Sequence, residues 1–290
     1  FGYCRNMETV RFESDSKVEI IEGGWYGASG MPTGVFQDCS KLKEINIPAS
    51  VKIIKGGAFH GCESLTKVTF DEYSNLEELE GAYDYRGSGG CYRGAFADCT
   101  SLTTILIPKN VKKIGFSTFQ NCTSLKTVIF ENNSLLKSIE GKYNDKAYLG
   151  VFSDCTALTS IRIPANVESI GATAFKGCAA LKSVSFEKGS KLSFIEGGID
   201  EYNGAFSYCK KMTVFDAENC TQLQIIGDAA FYGNDELNVL RLGTTIPPTV
   251  GNMSFLGISE AAVLSVPASN IIEYKNNDSW SSVFKIIKGL

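Results

Sequence analysis

Apolar residues recur along this chain with a spacing that fits neither one long helix nor a simple alternating strand. Residues 96–115 read FADCTSLTTILIPKNVKKIG, with Phe96, Cys99, Leu102, Ile105, Ile107, Pro108, Val111 and Ile114 set among polar positions. The same skeleton starts at Phe1, Phe36, Phe59, Phe119, Phe152, Phe175, Phe206 and Phe231. From Phe36 onward the starts are 23, 37, 23, 33, 23, 31 and 25 residues apart, so short and long units alternate. A module of this size buries its apolar face only against copies of itself, which predicts a stacked solenoid.

Within each unit, Leu-x-x-Ile-x-Ile is a short β-branched stretch whose alternate residues point inward. Stacked coil on coil, such stretches make a parallel sheet, and the rest of the unit supplies the crossover that parallel strands need. Short units end the strand in Ile-x-Ile-Pro (residues 45–48, 105–108 and 161–164), where proline cannot continue the ladder. Long units end it in Val-x-Phe plus an acid (10–13, 68–71, 128–131 and 184–187) and carry a second Ser…Gly signature at 16–23, 74–81, 134–141 and 190–197. A second apolar pair, such as Val111 and Ile114 or Leu136 and Ile139, closes the opposite wall. There the pattern predicts short strands, turns and 3-10 pieces, with Gly115, Gly171 and Gly227 at a tight corner.

Phe255, Ile258, Ala261, Leu264, Val266 and Pro267 keep the offsets of an earlier unit and read as a tenth, degenerate coil. Beyond it Trp280 and Phe284 are placed as a lid, since a last coil has no neighbour. The expectation is a right-handed, β-rich solenoid of the α/β class forming one continuous domain, with the array at 1–242 and the final repeat and C-terminal cap at 243–290.

The pattern FxxCxxLxxIxIPxxVxxIGxxAF resembles the BspA-like (Treponema-type) leucine-rich repeats of bacterial surface proteins. The ending Val-Pro-Ala-Ser with Tyr274, Lys275 and Trp280 is similar to the C-termini of such proteins from gut Bacteroides and their relatives. The chain departs from the plain pattern in its aromatic insertions, in Asn234 where cysteine stands elsewhere, and in the irregular unit from Phe206. The resemblance implies export to the cell surface and adhesive or protein-binding roles, and it supplies no catalytic residues.

Hydrophobic residues make up 43% and charged residues 21%, as in an ordinary folded protein. A net charge of -4 gives no electrostatic case for nucleic acid or an anionic membrane, and no apolar run is long enough to span a bilayer. The chain opens on FGYC, inside a repeat, so a signal peptide has no place to show.

Eight of the ten cysteines (Cys4, Cys39, Cys62, Cys99, Cys122, Cys155, Cys178 and Cys209) hold one repeat position. Their spacing lacks the short Cys-x-x-Cys clusters of a metal site, so neither metal nor other cofactor is expected. Disulfides are natural in an exported protein, yet the position also takes Asn234 and Ile258. The preferred reading is a packing slot of reduced thiols. Cys91 and Cys220 fall off this ladder.

The single histidine, His60, stands at the variable position of Phe-x-x-Cys, where other units have Gln37, Ala97 or Lys176. Paired with Cys62 it would suggest a thiol protease, but that chemistry needs an oriented base and the position reads as surface. The row Glu22, Glu80, Glu140 and Glu196 suggests glycoside hydrolysis only if two carboxylates face each other across a cleft. Repetition in every long unit instead suggests capping of backbone N–H groups at a turn. The chain reads as not an enzyme.

Two surfaces are left free by folding. One is the outer face of the main sheet, mostly Thr, Ser and charged, with Leu106 and Ile129 as an apolar spot on successive coils. The other is the set of insertions at 24–34, 82–94, 142–150 and 198–204, carrying Trp25, Tyr26, Tyr83, Tyr85, Tyr92, Tyr143, Tyr148 and Tyr202. Equivalent loops stack along one edge, and Tyr and Trp on glycine-rich loops suit recognition. The plainer alternative is that these rings fold back as local lids. The expected function is a non-enzymatic cell-surface binding or adhesion module for protein or glycan. A spacer segment, or more remotely a glycan-processing enzyme, is the alternative.

Overall fold

The computed structural model describes residues 1–290 apart from 14, 24, 27–30, 33, 82–92, 145–146 and 199–201, with the backbone alone at 25–26, 31–32, 143–144 and 147–148. The chain winds as a solenoid whose coils each have three walls.

The first wall is the predicted strand, seen as four-residue elements such as Glu44–Ile47, Lys67–Phe70, Thr104–Ile107, Thr127–Phe130, Ser160–Ile163 and Ser183–Phe186. They pair parallel and in register, Ile45 with Val68, Ile105 with Val128 and Ile161 with Val184. The short-unit strands alternate exposed and buried, as one solvated face requires. The acid ending a long-unit strand has a defined role. Glu131 accepts a hydrogen bond from the Lys109 backbone N–H at 2.9 Å, and Glu187 one from Ala165 at 3.0 Å, each just past the proline of the preceding coil.

The second wall is a sheet of nine two-residue strands running from Ile20–Ile21 to Thr249–Val250. Cross-coil ion pairs edge it: Glu19 with Lys52, Glu77 with Lys112 and Lys137 with Glu168, at 2.9–3.0 Å. All are exposed, so each contributes at most about 1 kcal/mol. Among the described residues the one 3-10 element, Ala268–Asn270, lies in the C-terminal cap and not on this wall. In-register pairing between coils already satisfies the backbone here, so the return runs as short strands and turns.

The third wall is the Phe-x-x-Cys turn. Ten phenylalanines, from Phe1 through Phe255, stack ring on ring with centroids 5.0–6.0 Å apart and planes within 18°. Seven of them are fully buried, each stabilising by about 1.5–3 kcal/mol. That outweighs the surface ion pairs. The cysteines beside them are free and buried, except that Cys4, in the first coil, is exposed.

The cysteine position is more than a packing slot. Seven thiols donate to the carbonyl of the phenylalanine one coil earlier, from Cys39 to Phe1 through Cys209 to Phe175, with Sγ–O distances of 3.1–3.4 Å. Asn234 does the same with its amide, Nδ2 to Phe206 O at 3.1 Å. Ile258 has no donor to offer, and it sits half-buried where the array ends. Cys220 is also free and buried, 3.4 Å from the Ser190 hydroxyl. Cys91 lies outside the described residues.

Three expectations shift at the ends and middle. Residues 10–13 do not form a strand, since the first coil has a neighbour on one side only and makes a single bridge, Thr9 to Glu44. Ala261 is exposed and Ala262 takes the buried place, because the turn closes by Ala262 N–H to Ser259 O. The main sheet is interrupted between Thr127–Phe130 and Ser160–Ile163, while the narrow sheet continues there through Ser138 with Ser169 and Ile139 with Ile170.

At the far end two short helices, Ile271–Lys275 and Asp278–Ser281, close the core. Phe255 meets Trp280 at 5.6 Å and Phe284 at 5.2 Å, and the Trp280 indole N–H donates to Pro248 O.

Cys155→Val tests the donor slot, since it keeps apolar bulk and removes the hydrogen from the Phe119 carbonyl. The Phe119 carbonyl keeps its bond from the Cys122 N–H, so the variant should lose about 0.5–1 kcal/mol, the worth of one weak second hydrogen bond, seen as a slightly earlier urea midpoint. A midpoint equal to that of the parent would return the position to packing alone.

Candidate binding surface

The insertions leave the coil just after the narrow strand and return just before the next phenylalanine. Their bases are closed by backbone hydrogen bonds: Val35 N–H to Glu22 O, Ala95 to Glu80 and Val151 to Glu140, at 3.1–3.2 Å. Above the base, Trp25–Tyr26 pairs antiparallel with Met31–Pro32, and Tyr143–Asn144 with Ala147–Tyr148. Two of the insertions are therefore antiparallel pairs, carried four coils apart.

Glycines make that possible. At the return points Gly94 and Gly150, a β-carbon would collide with the backbone of Ser117 and Thr173 in the next coil. The predicted tight-corner role of Gly115, Gly171 and Gly227 is corrected on the same ground. None of the three has a positive φ, and a β-carbon on each would strike Gly81, Gly141 or Gly197 of the coil before. Close approach of two backbones, not an unusual dihedral, requires glycine there.

The predicted aromatic residues divide by place. Trp25, Tyr26, Tyr143 and Tyr148 lie on hairpin strands, with Tyr143 and Tyr148 directly opposite each other. Tyr83, Tyr85 and Tyr92 lie outside the described residues. Tyr202 is exposed, and its ring stands edge-to-face with Tyr232 of the next coil at 5.0 Å. Tyr208 meets the other side of this pair, 5.5 Å from Tyr232, and Lys176 Nζ lies 5.6 Å from the Tyr208 ring centre.

Tyr208 and Tyr232 escaped the sequence reading, although one signal was present. The residue before each ladder cysteine is in the left-handed region: Asp38, Gly61, Asp98, Asn121, Asp154 and Gly177 occupy it, and so do Tyr3 and Tyr208. Asp, Asn and Gly are at home there and tyrosine is not. A bulky residue in that slot marked a place where something other than backbone preference set the choice.

The same ridge holds His60, which is largely buried and not the surface side chain expected. Its Nδ1 is 3.3 Å from Asp98 Oδ2. Burial, and next the nearby Arg93, push its pKa below the ordinary value, while Asp98 and Asp38 pull the other way. The thiol of Cys62 is held well above its usual range by burial, which leaves no thiolate for nucleophilic work.

The members of the carboxylate row differ in their surroundings. Burial raises the pKa of Glu80 and of Glu140, while lysines nearby and the backbone at Gly56 and Phe116 pull the other way. Glu22 instead pairs with Lys55 at 3.0 Å. Among the described residues, no group of three or more His, Cys, Asp or Glu side chains converges as metal ligands would.

On the main sheet, Leu106 and Ile129 sit side by side in register and exposed, beside the interruption of that sheet. Nearer the first coil, Thr9, Arg11, Glu44, Asn46, Lys67 and Thr69 line a shallow cleft. Asn46 links its neighbours there, donating to Asp71 at 2.6 Å and accepting from Thr69 at 2.8 Å.

Parallel coils, an inward Phe and Cys ladder and loops on one edge define a leucine-rich-repeat solenoid. The chain belongs to the BspA-type leucine-rich-repeat family, whose repeat region of six copies matches residues 29–83, 91–188, 145–246 and 200–277. A comparison with curated proteins gave no match. Among solved structures, the pneumococcal vaccine antigen PcpA is similar at 17% identity, covering 94% of this chain and 85% of that one, with a TM-score of 0.46. A leucine-rich cell surface protein of Faecalibacterium prausnitzii is similar at 20% identity, over 94% and 88% of the two chains, with a TM-score of 0.37. The leucine-rich repeat protein of Treponema pallidum is similar at 21% identity, over 78% and 67%, with a TM-score of 0.35. Among the described residues no helix is long and apolar enough to cross a membrane.

The depressed His60 pKa has a readable consequence. The unfolded chain takes the proton first, so the contribution of neutral His60 is intact above about pH 6.5 and is lost as pH falls toward the lower folded value. His60→Gln, the residue of Gln37 and Gln120 at the same position, should remove that loss. Between pH 7.5 and 5 the parent Tm should fall relative to the variant. A Tm difference that does not change with pH would contradict the assignment.

Proposed function

We propose that the chain is a non-enzymatic, cell-surface binding module that holds a protein or glycan partner through its insertion edge, with the main-sheet face as a second surface. One observation carries this reading: the coils close beneath the insertions. Glu80 O already meets Ala95 N–H, and Glu140 O meets Val151 N–H, so the aromatic segments are additions the solenoid does not need for closure. Short units pass from Ile54 to Phe59 with no insertion at all. Tyr and Trp on insertions of a repeat array offer large contact area at low entropy cost. Family membership supports export and display at the surface. Glu80 and Glu140 recur as a row, one per long unit, which supports binding over the single facing pair that glycoside hydrolysis needs.

A spacer segment would share the coils but not need the rings. Replacing Tyr85, Tyr92 and Tyr148 with Ser should abolish binding of the purified chain to an extracellular-matrix and glycan array, with Tm held within a few degrees. Binding that survives all three changes moves the site to the sheet face around Leu106 and Ile129. A collapse of Tm would show the rings to be structural lids, as in the spacer reading.

A further inference from the structure

The row of tyrosines at the C-terminal half of the insertion edge differs from the rest of the ridge in geometry and in strain. Tyr202 comes from an insertion, Tyr208 from the turn that follows it, and Tyr232 from the next coil. Tyr232 is nearly perpendicular to both others, at 73° and 74°. Perpendicular rings form a corner, not a flat platform. Tyr202 keeps 45% of its surface open.

Tyr208 occupies the left-handed slot with a φ of 61°, where most coils use Asp, Asn or Gly. Its ring lies directly over Gly233, whose missing side chain leaves room for it. Strain of this kind points from the outlier toward a function. Beside the corner Asp154 holds the repeat position of Tyr208, and the exposed Leu256 continues the row past Tyr232. Burial raises the Asp154 pKa and the charge of nearby Lys176 pulls it down, so the ammonium has an acid beside it.

We propose that Tyr202, Tyr208 and Tyr232, with Lys176 beside them, form a subsite for one neutral pyranose ring of a saccharide. The electron-rich ring faces attract the polarised C–H groups of a sugar face, while phenol hydroxyls and the ammonium meet its hydroxyls. The three rings span about two ring contacts, far short of the roughly 800 Å² per partner of a stable protein interface. This rests on the reading of the insertion edge as a binding surface and names the ligand class for one part of it.

The test is titration of the whole isotope-labelled chain with lactose, cellobiose and N,N′-diacetylchitobiose, followed by NMR. At least one sugar should bind in the millimolar range, and Tyr202→Ala and Tyr208→Asn should each weaken it about tenfold or more. Tyr208→Asn places the preferred residue in the slot, so its Tm should stay level or rise, separating lost binding from lost fold. Tyr73→Ala, at an exposed tyrosine elsewhere, should bind as the parent does. No binding by any of the three sugars, or unchanged binding in Tyr202→Ala and Tyr208→Asn, overturns the proposal. A polypeptide ligand lost in both variants but not displaced by sugar overturns it too. In each of those cases, array binding that still depends on Tyr85, Tyr92 and Tyr148 leaves the wider module reading standing.

Discussion

The structure depends on one buried contact repeated along its length: the thiol of each ladder cysteine set against the carbonyl of the phenylalanine one coil earlier. A thiol is a weak donor and the bond adds little by itself. Each of these carbonyls already accepts the N–H of the cysteine three residues on in its own coil, and the thiol brings a second, cross-coil donor to the oxygen's other lone pair. That second bond is made only when the next coil arrives in one register. That register then lines up the ring stack, the four-residue strands and the two-residue strands together. Asn234 makes the point by substitution, keeping the donor while changing everything else about the side chain.

The alternation of short and long units follows from the same need to satisfy backbone groups between coils. Short units stop their strand with proline, and the next residue's N–H would be left over. Long units answer with an acid in the adjacent place, Glu131 toward Lys109 and Glu187 toward Ala165. Asp71 is a methylene shorter and pairs with Asn46 instead. Long units also carry the insertions, so the residues free to vary for recognition recur on alternate coils, above bases that are closed and glycine-packed. Stability and display are thereby separated, with the core set by one group of positions and the edge by another.

The ridge beside those loops shows where the separation is incomplete. His60 and Asp98 sit half inside the fold and half in the candidate surface. Tyr208 carries a backbone conformation that its side chain disfavours, in a slot that Asn121 and Gly177 fill with residues suited to it. In the binding reading proposed above, the ridge positions that depart from the repeat's own preference are the ones that would meet a partner.

The repeat period, the inward set of Phe, Cys, Leu and Ile, the strand positions and the family were legible from residue spacing alone, because each depends on local pattern and on copies of that pattern meeting in register. So was the lid made by Trp280 and Phe284. What spacing could not disclose was which partner each group would find across the coils. The sequence shows that cysteine, asparagine and isoleucine share a position. Only coordinates show a carbonyl waiting there for the first two. It shows Gly115 after Ile114, whereas the reason, the backbone of Gly81 pressed against it, comes from a residue 34 places earlier. It places Tyr202, Tyr208 and Tyr232 in three different repeat positions, and stacking alone brings them to one corner. Hydrophobic periodicity is a property of the chain, but register between coils and the meeting of unlike positions are properties of the packed array, so the first was determined by sequence and the second by tertiary structure.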